Sequence, residues 1–308
     1  MEVLQVVTTA SPFFRQQVDA LESQGVNCTT VTVPDTGGAL GSADAYRRFY
    51  QRVLASGLDS YDLVHANYGL TGPFALAQPT RPVVLTLWGS DVMSDSTPLT
   101  ATSRLAASHS DAVIASSEPI AESLSVPHEV VPFAMDTDRF RPVDREQARD
   151  EVGWEPDGRV VLFPYHPDRS VKDYERADRI VASVDDRLDE PVELRWIWGV
   201  DHEMVPLYMN ASDAVLVTSR RESGPMVVKE AAACNVPVVS TDVGFVSAVL
   251  DGVEQSTVAD TDAELVDALV EILRADVRSD GRRETEFLTP ERMGNRLVDL
   301  YRRVLTEA

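Results

Sequence analysis

Lysine is almost absent from this chain. Of the 28 basic residues among 308, only Lys172 and Lys229 are lysine, while Asp and Glu number 50 and leave a net charge of −22. So acidic a chain has no basic face with which to neutralise a phosphate backbone, which argues against nucleic acid as a partner. Cysteine is equally scarce: Cys28 and Cys234 stand too far apart for a disulfide framework or a metal-binding spacing. His65, His109, His128 and His202 show no metal-ligand spacing either, so no metal site is expected. No apolar run approaches the roughly 18–20 residues of a membrane span, and the opening MEVLQVVTTA reads as a strand, not a signal peptide. The expectation is a cytoplasmic protein. No glycine fingerprint with an acid about 20 residues on follows any strand, which sets aside a nicotinamide-dependent oxidoreductase.

What is present is enough apolar residue, 44%, for proper cores, and enough length for two domains. The acids are spread over every surface segment, a style that resembles the proteins of salt-in halophiles. Such a charge repels itself in dilute buffer and is screened within about 3 Å at 1 M salt. Loss of structure on desalting is therefore expected. A circular dichroism spectrum unchanged at about 50 mM salt would contradict it.

Short β-branched runs alternate with helical patterns, the mark of parallel strands with crossover connections. In the first half the strands are expected at Val3–Val7, Asn27–Val33, Asp62–His65, Val83–Leu87, Ala112–Ala115 and Glu129–Val131. Helices are expected between them at Phe13–Ser23, Ala43–Ala55, Leu99–Ser108 and Pro119–Leu124. PFAMDTDRFRP, residues 132–142, reads as a linker. The rhythm resumes with strands at Arg159–Phe163, Val192–Trp198, Ala214–Thr218, Pro237–Ser240 and Ser256–Val258, and helices at Asp173–Val184, Glu203–Asn210, Pro225–Cys234 and Asp262–Ala275. The predicted fold class is α/β: two Rossmann-like, doubly wound domains, residues 1–142 and 143–289, facing across a cleft. Residues 290–308 form a last helix, a candidate for crossing back to the first domain, with Leu297, Leu300, Tyr301 and Leu305 at helical spacing.

The most informative stretch is NASDAVLVTSRRESGPMVVKEAAACNVPVVSTDVG, from Asn210 to Gly244. It reads as a buried strand, a polar bend, a helix opening near Pro225 and a second strand. A helix start offers free N–H groups and the positive end of the dipole, an anion site. Glu222 and Glu230 bracket it with seven residues between them. Glu230 falls on a turn packed with Val227, Val228 and Ala231, where a carboxylate is costly unless hydrogen-bonded. An anion cradle flanked by acceptors suits a ligand with phosphates and hydroxyls, a nucleotide sugar.

These residues resemble the retaining glycosyltransferases of family 4, which have the GT-B fold. The second half matches the family's E-x7-E block; DLVHANYG, VVLTLWGSDV, SDAVIASSEPIAESL and VPFAMDTDRFRP follow in family order in the first half. The resemblance implies that Glu230 accepts from the ribose hydroxyls of the donor and that Glu222 sits beside the donor sugar. The bend Ser223, Gly224, Pro225, Met226 would bring backbone N–H groups onto the donor, with Pro225 removing one of them. The loop FPYHPDRSVKDY would supply cations to the diphosphate: Lys172, with Arg169 in one spacing, or with His166 standing at the arginine position in the commoner one. Lys229 is read as packing beside Glu230. On the acceptor side Trp88, Gly89 and Asp91 would line the cleft, Trp88 standing where the family has histidine and Asn67 where some relatives have a second one. The usual glycine-rich loop after the first strand is replaced by Thr8, Thr9, Ala10 and Ser11.

The activity so implied is metal-independent, cofactor-free transfer of a hexose from a nucleoside diphosphate sugar to a hydroxyl acceptor in glycan or polysaccharide biosynthesis, the acceptor lipid-linked or a glycan. The alternative is a non-catalytic nucleotide-sugar binder or a partner subunit of another transferase. Arg47 and Arg48 beside Phe49 and Tyr50 hint at placement on the inner membrane face.

Overall fold

A computed structural model of the chain describes residues 1–34, 43–94, 96–155, 158–222 and 224–307. Two compact units emerge: Met1–Ala134 with Pro290–Ala308, and Met135–Thr289. The expected boundary at 142 lies inside the second unit, because Met135 and Phe140 are 2% exposed in that unit's core. Arg282 pins the same stretch by donating to the carbonyls of Phe140 and Thr137.

The first unit is a parallel sheet of β1 (Glu2–Val7), β2 (Asn27–Thr32), β3 (Leu63–Asn67), β4 (Val83–Leu87), β5 (Ala112–Ala115) and β6 (Glu129–Val130), ordered β2-β1-β3-β4-β5-β6. β3 and β4 are buried along their whole length, as strands covered on both faces must be. Helix Pro290–Glu307 lays Met293, Leu297, Leu300, Tyr301 and Val304 against Val3, Leu21, Leu63, Val84 and Ile114. Its Tyr301 hydroxyl meets His65 Nδ1 at 2.6 Å, and His65 Nε2 meets Thr86 Oγ1 at 2.7 Å. Burial drives the His65 pKa down to about 3, so this ring is a neutral tie between sheet and helix. Asn67 is buried too, held between Gln5 and Gln17. Of the four residues read as a lipid-facing patch, Phe49 is in the core and the Tyr50 hydroxyl donates to the Ala77 carbonyl, while Arg47 and Arg48 are exposed and both hold Asp44. No helix among the described residues is long and apolar enough to cross a membrane.

The second unit is a parallel sheet of β7 (Arg159–Phe163), β8 (Val192–Trp196), β9 (Ala214–Val217), β10 (Val238–Ser240) and β11 (Thr257–Val258), ordered β11-β10-β9-β7-β8. The chain reverses its direction of strand addition between β7 and β9, and the loops leaving their carboxyl ends diverge there. Ligands of doubly wound sheets bind at such a point. Helices unforeseen from the sequence are Gly72–Leu76, Arg145–Val152, Val246–Leu250 and Gly281–Thr285. Arg145–Val152 buries only Ala148, so it carries no apolar stripe; the others, at five residues, are too short for one.

Candidate functional site

The loops after β7 and β9 are stitched together before any side chain chemistry begins. Thr218 Oγ1 lies 3.0 Å from the carbonyl oxygens of both Lys172 and Asp173, and the Arg220 N–H donates to the Val171 carbonyl at 2.9 Å. A short 3-10 turn, Ser170–Lys172, then aims Lys172 inward, leaving its side chain 5% exposed. The ammonium sits 4.0 Å from the centre of the Tyr165 ring and is bonded to Glu222 Oε1. Burial lowers the lysine pKa, and the Glu222 carboxylate opposes that shift.

Glu222 is the hub. Its Oε1 accepts from Lys172, from the Tyr165 hydroxyl at 3.2 Å and from Ser219 Oγ at 2.9 Å. Oε2 accepts from none of the described residues. The Tyr165 phenol is pushed well above its usual pKa, by burial first and by the neighbouring carboxylate second, so it stays a donor. Helix Met226–Ala233 follows, preceded by Pro225, and its first-turn amides have no partner within the helix.

Glu230, on that helix, faces the same cavity of about 340 Å³ as Lys172, Glu222, Gly224, Met226 and Trp198. Among the described residues nothing hydrogen-bonds its carboxyl group. Burial raises its pKa to about 7. An acid at this depth, with acceptors unmet, suits hydroxyl donors from a ligand. Lys229 points elsewhere: 3% exposed, it rests 4.3 Å from the centre of the Phe245 ring, with its pKa brought down to about 8 by burial.

The structure brings Lys172, Glu222, Gly224, Met226 and Glu230 to one cavity; Ser223 lies outside the described residues. His166 and Arg169 do not line it. They stand against its wall, the His166 ring 6.0 Å from Trp198 and 5.8 Å from Trp196, the Arg169 guanidinium 5.9 Å over Trp198. Arg169 is still near enough for its charge to depress Lys172 further.

In the first unit the acceptor-side expectation needs correction. Asp91 is fully buried, and its carboxylate accepts from the backbone N–H groups of Gly69 at 2.8 Å, Gly89 at 2.8 Å and Trp88 at 3.1 Å. It clamps the turn after β4 to the turn after β3, and does not line a ligand surface. Gly89 is itself buried, at φ 104°, with its donor committed to Asp91. Trp88 packs edge-on against Phe13 (4.7 Å), Tyr68 (5.6 Å) and Phe133 (5.9 Å).

Tyr165 and Ser219 were not foreseen. The available signals were an aromatic two residues beyond a buried strand and a serine three residues before Glu222 in a polar bend. Among the described residues no three His, Cys, Asp or Glu side chains are grouped to hold a metal ion. A second cavity, about 250 Å³, lies at the amino ends of β7 and β9, lined by Arg145, Arg159, Asp213, Asp276 and Arg278. Asp213 pairs with Arg145, with Arg149 (2.9 Å) and with Arg159 (3.4 Å), and Asp276, Glu190 and Glu146 add further acidic partners for these three arginines.

Comparison with known proteins bears on both units. Residues 2–134 match the family model described as glycosyl transferase 4-like domain, and residues 174–275 match glycosyl transferases group 1. The chain is similar to D-inositol 3-phosphate glycosyltransferase 2 of Catenulispora acidiphila, 32% identical over 161 residues, 42% of this chain and 38% of that protein. It is similar also to the lipopolysaccharide core biosynthesis mannosyltransferase LpsB of Rhizobium meliloti, 29% identical over 174 residues, 48% of this chain and 50% of that protein. The chain thus spans half or less of the length of these curated relatives. Among solved structures, sucrose-phosphate synthase (tll1590) from Thermosynechococcus elongatus aligns with a TM-score of 0.83 at 18% identity, covering all of both chains. Anabaena Alr3699/HepE in complex with UDP and glucose aligns at 0.71 and 14% identity, covering 98% of this chain and 100% of that one. Identities this low speak for fold alone. Each of the two parallel-sheet units thus carries a match to a glycosyltransferase family model, and the chain has the GT-B fold.

Proposed function

We propose that this protein is a retaining glycosyltransferase of the family 4 type, moving a hexose from a nucleoside diphosphate sugar to a hydroxyl acceptor without a metal ion. The observation that carries this reading is the meeting of Lys172, Glu222 and Glu230 around one cavity at the β7/β9 switch point. The ribose hydroxyls would donate to Glu230, whose carboxyl group has no donor among the described residues. The diphosphate would draw Lys172 from Glu222 Oε1, and Glu222 would hold a hydroxyl of the donor sugar through Oε2, which accepts from none of the described residues. As the glycosidic bond breaks, the leaving diphosphate gains negative charge, and a cation fixed beside it stabilises that state more than the ground state. The departing phosphate takes the acceptor's proton on the same face of the sugar. Positioning and electrostatics thus do the work that a pair of catalytic carboxylates does in glycosidases. The UDP and glucose held by the Anabaena neighbour are compatible with such a donor.

Glu230→Ala should weaken donor binding about ten- to a hundredfold, since hydrogen bonds to a charged group contribute about 1.5–3 kcal/mol. The sign with pH also follows. Below about pH 7 the Glu230 carboxyl is protonated, and a ligand that needs it ionised must expel that proton. Donor affinity should therefore rise from pH 6 to pH 8, and Glu230→Gln should flatten that rise; both are read by isothermal titration. Equal affinity in Glu230→Ala and the unaltered protein rules the assignment out.

A non-catalytic nucleotide-sugar binder is the second reading. It is favoured by the loop after β4, where Trp88 packs into aromatic neighbours and Asp91 is spent on backbone N–H groups. Donor binding with no sugar release on any acceptor would support it.

A further inference from the structure

The loop after β10 lies under the bend that carries Glu222 and Gly224, and it touches that bend twice. Thr241, 6% exposed, donates through Oγ1 to the Ser219 carbonyl at 2.8 Å, while Ser219 Oγ donates to Glu222 Oε1 at 2.9 Å. Phe245, 8% exposed, presents the edge of its ring directly to Gly224: a Cβ built on Gly224 would overlap Cε1 and Cδ1 of that ring. The face of the same ring carries the Lys229 ammonium at 4.3 Å. Gly224 is thus a glycine because an aromatic edge fills the space of its side chain. The bend cannot sink toward β10, and the Ser219 carbonyl cannot swing out without losing Thr241.

We infer that Thr241 and Phe245 are positioning residues for the donor, setting from below the height of the bend that places Glu222 and the first amides of helix Met226–Ala233. The inference rests on the donor-site reading above. Neither residue lines the cavity, so neither is placed to touch a donor bound there. Their action passes through Gly224 and Ser219, and their loss acts by misplacing groups that must sit within a few tenths of an ångström.

The test is a double-substitution cycle read by isothermal titration with UDP, GDP and ADP, with melting temperatures recorded for each protein. Gly224→Ala, whose methyl group must push against the ring, should raise the Kd of the preferred nucleotide about ten- to a hundredfold. Phe245→Leu alone should raise it by less, about tenfold at most. The two together should bind better than Gly224→Ala alone, because leucine leaves room for the methyl group. A merely structural role would move the melting temperature without this rescue of affinity. Should Phe245→Leu not fold, Thr241→Val against Thr241→Ser decides: valine weakens nucleotide binding and serine, which keeps the hydroxyl, restores it. If the unaltered protein binds none of the three nucleotides, the donor-site reading falls and this inference with it. If it binds and Gly224→Ala leaves Kd unchanged, or the double variant is no better than Gly224→Ala, the inference alone is overturned.

Discussion

Lys172→Met is expected to slow release of nucleoside diphosphate from a sugar donor by about 10²–10³-fold, with a much smaller change in donor KM. Methionine keeps an unbranched stem beside the Tyr165 ring and removes only the charge. The lysine matters most when charge develops on the leaving group, which is why the loss should fall on kcat. Its position is held from two sides apart from Glu222: the Thr218 hydroxyl on its carbonyl and the Tyr165 ring under its ammonium. A cation so fixed does not have to be reorganised during the reaction. Turnover of Lys172→Met within about threefold of the unaltered protein would remove the lysine from the chemistry. A parallel melting curve separates the expected loss of turnover from a folding defect, since Glu222 keeps Tyr165 and Ser219 as donors after the substitution.

The second large effect concerns stability, at the other end of the same sheet. Asp213, its side chain 3% exposed, accepts from the Val160 N–H at 2.7 Å and pairs with Arg145, Arg149 and Arg159. Those arginine side chains are themselves only 12–27% exposed. Asp213→Asn keeps the shape and leaves this group of arginines short of one negative charge. Breaking a buried ion pair from one side costs about 3–5 kcal/mol, which for a unit of this size lowers the melting temperature by roughly 10 °C. Asp276 meets Arg145 at 2.8 Å, but its side chain is 40% exposed, and Asp276→Asn should cost no more than about 1 kcal/mol. Calorimetry on the two variants checks the contrast. Equal and small losses would mean that the network is as solvated as an ordinary surface pair.

Much of the fold was legible because parallel strands buried on both faces have an unmistakable composition. Val83–Leu87, Ala112–Ala115 and Arg159–Phe163 occur with the bounds read from the sequence, each dominated by β-branched and other apolar residues. Lys172 stood out for a different reason: a chain nearly free of lysine places one in the loop after β7. Glu230 stood out as an acid on a helix turn packed with Val227, Val228 and Ala231. What the sequence hides is contact across distance. Tyr165 and Glu222 are 57 positions apart, and nothing local to either says that they meet. Asp91 was misplaced for the same reason. A carboxylate after a strand looks available to a ligand until the N–H groups of Gly69, Trp88 and Gly89 are found converging on it. The unit boundary was placed too late because PFAMDTDRFRP looks like a linker by its prolines and acids, while Met135 and Phe140 within it are core residues.

The central claim is that a nucleoside diphosphate sugar sits between the loops after β7 and β9. Hydrogen–deuterium exchange, run in molar salt with and without UDP-, GDP- and ADP-sugars, tests it most directly. One of these donors should slow exchange across residues 164–173 and 218–231, and leave the arginine-lined end of the sheet, residues 143–149 and 272–278, unchanged. Slowed exchange at that opposite end, with the loops after β7 and β9 unaffected by every donor, would contradict it.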